Sequence, residues 1–438
     1  MFKTLRNALK IEDIRKKLIF TFLMLVVVRF GSQLPIPGAN RDYFQAWFAQ
    51  QTGDAFNFFD AFTGGSFTSM SLFALGITPY ITSSIIVQLL TIAIPKLEEM
   101  QKDGEDGRKK IQTISRYLTV ALALIESIAM TVGFGSRGLL PANTIPNKIV
   151  VIAAMTAGSA FLMWIGEEIT EHGVGNGISI VLLINIVSRI PDDFVTLFDQ
   201  FMKGQTILNA VVAAVVIIAV VLVTVVFVIF LQDGERRIPV QYAKKMQGRK
   251  MVGGQSTNIP LKVNTAGVIP VIFASSLMSF PNVIASLLGK TGGTGIGSKI
   301  MTGLSQSSWC DPSRPIYSLG LVLYIVLVVF FAYFYTSITF NPIEISNNMK
   351  RQGGFIPGIR PGKPTTEYLS RILNYIVFIG AVGLIIVCVI PIFFNGMFGA
   401  NVSFGGTSII IIVGVVLETL KQIESQMLVR YYKGFLND

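Results

Sequence analysis

The amino-acid sequence predicts an all-α polytopic membrane protein, and both composition and pattern support this fold class. Hydrophobic residue types make up 51% of the 438 residues and charged types only 14%. Soluble domains carry about 25% charged residues, so this chain has too few to cover a water-facing surface. Its apolar residues lie in continuous runs near the length of about 20 residues that crosses a bilayer as a helix. A transmembrane β-barrel would instead show alternating polar and apolar residues.

The apolar runs predict ten transmembrane helices. These spans cover residues 18–36, 72–94, 113–134, 149–167, 174–190, 207–231, 264–288, 316–340, 370–393 and 404–428. The segments on one side of the predicted membrane hold 27 of the 36 Lys and Arg residues. Because basic loops remain in the cytoplasm, both chain termini are predicted to be cytoplasmic.

Two of the predicted cytoplasmic loops, 232–263 and 341–370, are long and basic. A few basic residues would be enough to set the topology, and these loops exceed that need. The second loop contains the run FIPGIRPG (355–362), in which Pro and Gly fix backbone angles and favour a compact turn. A shaped basic turn suits a partner with an acidic or phosphate-bearing surface, so a docking surface is favoured over topology alone.

Segment 56–71 is amphipathic, too short to cross the membrane and directly followed by the second span. Two interpretations are open from these residues. The segment can fold back into a cavity, since irregular backbone at membrane depth is tolerated against protein or water. It can also lie as an interfacial helix on the outer surface.

Polar side chains and prolines interrupt the second and seventh spans. Pro79 and Pro270 are expected to bend these helices, because proline removes a backbone donor. Polar residues in lipid are costly unless they face one another or water, which predicts a polar seam between the two spans. The residues of this seam are Thr82, Ser83, Ser84, Gln88, Asn264, Thr265, Ser275 and Ser276.

Enzyme and ion-coupled transport signals are weak in this chain. Glu126 and Glu418 are isolated acids within spans, and no series of acids marks a proton relay. His172 is the single histidine, and two cysteines predict neither a metal cluster nor a disulfide framework. The Gly-Lys-Thr run at 289–291 lacks the earlier glycine of a phosphate-binding loop. We therefore expect no enzyme and no cofactor, and a secondary transporter of a small solute is the alternative function.

Several long motifs together resemble the SecY family, the channel subunit of the general protein-secretion translocon, in its bacterial form. The matching runs are LPIPG (34–38), FALGITPY (73–80) continuing to 90, WIGEEITEHGVGNGIS (164–179), QSTNIPLKVN (255–264), FNP (340–342) and FIPGIRPG (355–362). The resemblance extends from the first span to the tenth.

The resemblance implies two inverted five-helix halves around a central pore. The N-terminal half would cover 1–190, a hinge loop 191–206 and the C-terminal half 207–438. It also implies a protein-conducting channel that passes unfolded secretory polypeptides and releases transmembrane segments sideways into lipid. The drive would come from the SecA motor ATPase or a translating ribosome. SecE and SecG, signal peptides, nascent chains and the lipid bilayer are the other implied partners, at the bacterial cytoplasmic membrane.

The resemblance further implies roles for particular residues. The apolar pore ring would be Ile77, Ile81, Ile178, Leu182, Ile272 and Ile411. A plug that fills the cavity would include Phe56, Phe58, Phe59, Phe62, Gly64, Gly65 and Phe67. The lateral gate would include Thr82, Ser83, Gln88, Asn264, Ser275 and Ser276. The docking site for SecA and the ribosome would include Arg249, Lys250, Pro357, Gly358, Arg360 and Pro361.

Overall fold

The structure is a computed structural model of the chain. It describes residues 6, 8–50, 60, 62–135, 140, 144–203, 207–242, 245–247, 250–252, 256–287, 296–310, 312, 315–398 and 406–434. Three predicted plug residues, Phe56, Phe58 and Phe59, and the predicted docking residue Arg249 lie outside the described residues.

Helices dominate the fold. Those of the first part of the chain are α1 (Glu12–Gly31), α2 (Arg41–Gln50), α3 (Thr78–Ala93), α4 (Pro95–Lys102), α5 (Glu105–Phe134), α6 (Ile145–His172) and α7 (Gly177–Phe201). Those of the second part are α8 (Ile207–Asp233), α9 (Ile269–Leu287), α10 (Ile296–Gly303), α11 (Leu319–Thr339), α12 (Pro342–Arg351), α13 (Lys363–Phe398) and α14 (Gly406–Gly434).

Each of the ten predicted spans overlaps one of these helices, namely α1, α3, α5, α6, α7, α8, α9, α11, α13 and α14. By length and hydropathy, five helices among the described residues can cross a membrane, or six if α3 and α4, which meet at a bend of 108°, count as one span. Charged residues in α1 and α7 lower their hydropathy. The polytopic helical class is confirmed, and the helix positions are consistent with ten spans.

The membrane helices pack in two groups. In the first, α5 packs on α3 and α6, while α6 also packs on α1 and α7. In the second, α11 packs on α9 and α13, while α14 packs on α8 and α13. The groups meet where α14 packs on α7 and α9 packs on α5. This grouping follows the proposed division into halves, and their inverted relation stays a prediction.

The segment between the groups differs from the expected loop. Helix α7 continues without a break to Phe201, so much of the predicted hinge loop 191–206 is helical. Pro191 lies inside this helix, where it removes one backbone hydrogen bond without ending the helix. A hinge role for this segment stays a prediction.

The prolines of the second and seventh spans also differ from expectation. Pro79 lies in the first turn of α3, and Pro270 is the second residue of α9. A first-turn proline removes a backbone donor that has no partner within the helix. These prolines therefore begin their helices and do not bend them, which corrects the expected bends.

A small sheet forms within the two basic loops, where the sequence suggested only loops with turns. Strands β1 (Glu235–Tyr242), β4 (Ser256–Lys262) and β5 (Gly354–Phe355) pair antiparallel in the order β4-β1-β5. Strands β2 (Lys245–Gln247) and β3 (Lys250–Val252) form a separate hairpin. The sheet is held by an apolar cluster that includes Ile238, Val240, Leu261, Met349, Ile356 and Leu369. The cluster thereby fixes the turn 355–362 to the beginning of α13.

Helices α6 and α7 cross closely at a pair of glycines. A Cβ atom added at Gly177 would lie 2.0 Å from the carbonyl oxygen of Gly166. Asn176 caps α7 just before this crossing, because its side-chain oxygen accepts from the backbone N–H of Ile178 at 3.1 Å. Close packing therefore explains the glycine-rich run at 173–177.

We expect Gly177→Ala to destabilise the protein by about 1–3 kcal/mol, because the new methyl group overlaps the α6 backbone. Gly297→Ala is the matched control, since nothing lies within 4 Å of a Cβ at this helical glycine. The control should be neutral or stabilising by about 0.5–1 kcal/mol. Thermal unfolding of the purified protein in detergent measures both changes. Equal melting temperatures for the two variants would contradict the close crossing.

Candidate functional site

One face of α7 carries the residues that organise the interior of the protein. Ile178, Leu182, Asn185 and Arg189 recur at intervals of three or four residues, so they share one side of the helix. Leu182 and Asn185 are buried, at 7% and 2% exposure. The first two residues are apolar and the next two are polar. The face therefore changes from apolar to polar along the helix.

The six residues of the predicted ring meet in one apolar cluster. Ile77, Leu182 and Ile411 are buried, and Ile81, Ile178 and Ile272 are partly buried and packed against them. Five of them lie on α3, α7, α9 and α14, and Ile77 directly precedes α3. The cluster therefore joins both helix groups. Its role as a pore ring stays a prediction.

The described part of segment 56–71 lies inside the protein. Asp60 is fully buried, Phe62 and Phe67 are each 6% exposed, and Ser66 is 1% exposed. Phe62 belongs to the same apolar cluster as the six predicted ring residues. This burial favours the fold-back interpretation over the interfacial helix for these residues, and the plug role itself stays a prediction.

The polar part of the α7 face holds this segment in place. The amide nitrogen of Asn185 donates to the carbonyl oxygen of Phe62 at 3.3 Å. Arg189 forms an ion pair with the Asp60 carboxylate. The other carboxylate oxygen of Asp60 accepts from the backbone N–H and the hydroxyl of Thr68, at 3.0 and 3.1 Å. These contacts close the segment into a compact turn against α7.

Gly64 allows this close contact. A Cβ atom there would lie 2.8 Å from the carbonyl oxygen of Asn185, and the residue has a φ of +65°. Gly65 has a φ of +82°, but nothing lies within 4 Å of its Cβ position. Both glycines therefore allow the backbone of the turn to adopt a positive φ. Of the two, only Gly64 also allows close contact with α7.

The other end of the segment is attached near the end of α1. The backbone N–H of Leu72 donates to the carbonyl of Leu34 at 2.8 Å, and that of Ile36 donates to the carbonyl of Met70 at 3.0 Å. Phe67 also meets Phe44 of α2 edge to face, with ring centroids 5.5 Å apart. Residues 70–72 are therefore fixed to residues 34–36 by backbone pairing.

A cavity of about 260 Å³ lies between α3 and α9, at the junction of the two groups. Thr82 and Ser276 are among its polar lining residues. The lining is otherwise mostly apolar, with Ile81, Ile85, Ile86, Leu89, Ile272, Phe273, Leu277, Phe331 and Phe62. Thus the boundary between these helices is mainly apolar, with a few hydroxyl groups, where the sequence suggested a polar seam.

The remaining predicted gate residues point elsewhere or lie further along the helices. Ser83 donates to the carbonyl oxygen of Ser115 in α5 at 2.7 Å. Ser275 donates to the hydroxyl of Tyr324 in α11 at 3.4 Å. Both serines therefore contact helices of their own group, which corrects the expectation that they face each other. The face on which a serine lies depends on helix rotation, and composition does not reveal that rotation.

Two amide side chains complete the predicted gate set. Gln88 lines a smaller cavity together with Tyr335 of α11, and its side chain lies within hydrogen-bonding reach of Tyr335. Asn264 is 6% exposed and lies beside Gly380 of α13. Gln88 thus lies at the junction of the two groups, while Asn264 packs within the second group.

The predicted docking residues of the second loop lie together on the surface. Pro357, Gly358 and Arg360 are exposed, as is Pro361. The turn beneath them is ordered, because the Thr365 hydroxyl donates to the Arg360 carbonyl at 2.9 Å. Of the other loop, the backbone of Lys250 lies in β3 and its side chain is outside the described residues.

Three polar residues that hold the interior segment were not predicted from the sequence: Asp60, Asn185 and Arg189. The available signal was the helical spacing of Asn185 and Arg189 from the apolar residues of the same face. Arg116 and Glu167 were also missed, and they form a salt bridge of 2.8 Å between α5 and α6. Among the described residues, no group of His, Cys, Asp and Glu side chains could hold a metal ion.

The fold and the site define a polytopic helical membrane channel, in which two helix groups meet at an apolar cluster. A family model described as SecY matches residues 71–420. The chain belongs to the SecY family. It is 44% identical to "Protein translocase subunit SecY" of Halalkalibacterium halodurans and 43% identical to that of Streptomyces scabiei, over all of each chain.

Solved structures share the fold of this chain. One is described as "The structure of a protein conducting channel", with a TM-score of 0.64, 19% identity and coverage of 94% of this chain and 93% of that one. Another is Sec61 in the canine ribosome-channel complex from the endoplasmic reticulum, with a TM-score of 0.62, 19% identity and the same coverage. The comparisons give no support to the small-solute transporter.

We expect Gly64→Ala to weaken the contact between the segment and α7 by about 1–3 kcal/mol more than Gly65→Ala does. Both substitutions strain a positive φ, and only the first also places a methyl group against Asn185. The maleimide labelling rate of a Phe62→Cys variant, with both native cysteines replaced by Ser, measures how often the segment leaves its site. Equal labelling rates in the two glycine variants would contradict the contact between Gly64 and α7.

Proposed function

We propose that this SecY family member is a protein-conducting channel that passes unfolded secretory polypeptides between its two helix groups. The observation that carries the proposal is the single apolar cluster that joins Ile178 and Leu182 of α7 to Ile272 and Ile411 of the second group. Phe62 of the interior segment packs in the same cluster. A polypeptide that separates the groups would pass through this cluster.

The cluster acts as a seal at rest. A narrow apolar constriction excludes water and thereby blocks ions. Branched side chains such as Ile77 and Ile81 can rearrange around an extended chain. The segment 60–71 acts as a plug behind this ring, held by Asn185 and Arg189. Ring and plug together keep the channel closed to ions between substrates.

The boundary between α3 and α9 is the lateral gate. Its cavity of about 260 Å³ is mainly apolar, which suits an apolar segment of the passing chain. Each large apolar side chain gains about 1.5–3 kcal/mol when it leaves water. Hydrophobicity therefore sorts membrane segments, which leave sideways into lipid, from secreted ones.

The exposed turn at 357–361 is the docking site for the driving partner. Arg360 stands on an ordered turn beside a small sheet, in a region rich in basic residues. Such a surface suits ribosomal RNA or an acidic face of the SecA motor. The canine Sec61 structure is that of a ribosome-channel complex, which supports a ribosome as partner. SecE and SecG are the accompanying small membrane subunits.

The channel lies in the bacterial cytoplasmic membrane with both termini in the cytoplasm. The distribution of basic residues supports this orientation, since 27 of 36 fall on one side of the predicted topology. The full-length relatives from Halalkalibacterium and Streptomyces support the bacterial form. In this orientation the docking turn faces the cytoplasm. The channel itself catalyses no reaction.

We expect the triple variant Ile81→Gly, Ile178→Gly, Ile272→Gly to conduct ions at rest, because the apolar constriction widens and admits water. Planar-bilayer recording without precursor measures this conductance. An unchanged resting conductance in the ring variant would argue against the seal.

The matched control for the ring variant is the triple variant Val211→Gly, Val215→Gly, Leu222→Gly. All three side chains are exposed on the outside of α8, away from the ring. The control introduces the same number of helical glycines and removes a similar amount of apolar side chain. Its resting conductance should equal that of the unsubstituted protein.

We expect Arg360→Glu to abolish motor-driven export while the channel still folds, because the charge of the docking turn is inverted. Translocation of a secreted precursor into proteoliposomes measures export, and thermal unfolding verifies the fold. Arg41→Glu, an exposed position on α2, is the control for charge reversal elsewhere. Normal export by the Arg360→Glu variant would rule out this docking site.

A further inference from the structure

Asp60 is a buried carboxylate at the start of the described plug segment. Its side chain is fully buried, and its partner Arg189 is 22% exposed. A buried charge is tolerated when it is paired and hydrogen-bonded. Asp60 meets this requirement through Arg189 on one oxygen and through two hydrogen bonds from Thr68 on the other. Among these contacts of Asp60, the ion pair with Arg189 is the one that joins the segment to α7.

Arg189 has other acidic neighbours on its own helix. Asp192 and Asp193 lie close enough to attract its guanidinium group. They move with α7, whereas Asp60 belongs to the interior segment. Arg189 therefore retains a favourable environment when Asp60 departs. The pairing with Asp60 is consequently one that can be broken and formed again.

The attachment at the opposite end of the segment is different in kind. Residues 70–72 pair through backbone hydrogen bonds with residues 34–36. Two glycines at positive φ, residues 64 and 65, lie between the two attachments. The two ends of the segment are therefore held by different contacts, an ion pair at residue 60 and backbone hydrogen bonds at residues 70–72.

Two further polar contacts join the described part of the segment to the surrounding helices. Arg29 of α1 donates to the carbonyl of Gly64 at 3.4 Å, and Asn185 of α7 donates to the carbonyl of Phe62 at 3.3 Å. Asp60 is the only charged residue of segment 56–71. Its pairing with Arg189 is therefore the one salt bridge that this segment can form.

We propose that the Asp60–Arg189 ion pair is the latch that holds the plug segment on α7, and that Asp60 thereby sets how strong a signal peptide must be to open the channel. Opening transfers Arg189 to Asp192 and Asp193, while residues 70–72 remain attached. Asp60 is a positioning residue, because it affects the polypeptide path only by holding the plug segment in place. The inference rests on the proposed channel function. It adds the residue that determines how strong a signal peptide the channel requires.

The test uses Asp60→Asn, which keeps the shape and an acceptor for Thr68 but removes the charge. Arg189→Gln and the double variant complete a cycle, and Asp199→Asn, which changes an exposed carboxylate on the same helix that pairs with Lys203, is the matched control. Two readouts apply. One is resting conductance in planar bilayers without precursor, and the other is export into proteoliposomes of a precursor with either an intact or a weakened signal peptide.

We expect Asp60→Asn and Arg189→Gln each to raise resting conductance about tenfold, because each removes the ion pair that holds the segment on α7. Export of the weakened precursor should rise by a similar factor, while export of the intact precursor stays within about twofold. The double variant should match the single variants, since all three lack the same pair. Asp199→Asn should stay within about twofold of the unsubstituted protein, because it removes only a surface ion pair.

The proposal is overturned if Asp60→Asn changes neither the conductance nor the export of the weakened precursor, or if the effects of the two single variants multiply. Labelling of Cys388, which is buried in the second group, reports global unfolding. If Asp60→Asn exposes Cys388, that variant is unfolded and Thr68→Val replaces it in the test. Thr68→Val removes one hydrogen bond of Asp60 and is measured by the same readouts. If the unsubstituted protein exports no precursor, the proposed function fails, and the conductance still tests the latch.

Discussion

In the proposed channel, the closed state depends on one face of α7, which has an apolar part and a polar part. Ile178 and Leu182 join the apolar cluster, and Asn185 and Arg189 hold the interior segment. A membrane at rest must exclude ions, and dry apolar contact achieves this. The segment must also be able to leave, which favours a few specific polar contacts over extensive packing. Helical spacing places both functions on adjacent turns.

In the proposed mechanism, the two helix groups stay intact while the boundary between them changes. Polar side chains such as Ser83 and Ser275 form hydrogen bonds inside their own groups. The boundary between α3 and α9 has a cavity lined mainly by apolar side chains. Apolar contact carries no directional requirement, so the boundary can separate and close again. The basic docking turn lies apart from it, on a sheet attached to α12 and α13.

The sequence predicted the membrane helices well, because long apolar runs identify them without knowledge of packing. The strands β1 and β4 were missed, since they contain Pro239 and Pro260 and pair across a long connection. The directions of Ser83 and Ser275 could not be predicted, because they depend on how each helix is rotated in the fold. The ion pair of Arg189 joins residues far apart in the chain. Spacing pointed to Arg189, and only the fold supplies its partner.

The most direct test of the central claim asks which face of α7 a passing polypeptide touches. A photoreactive amino acid is placed at Ile178 or Leu182, and at Val187 or Val195, which are exposed on α7. A precursor is then arrested during translocation and irradiated. We expect the arrested chain to crosslink to positions 178 and 182 and not to 187 and 195. Crosslinks to 187 and 195 alone would contradict a path along this face.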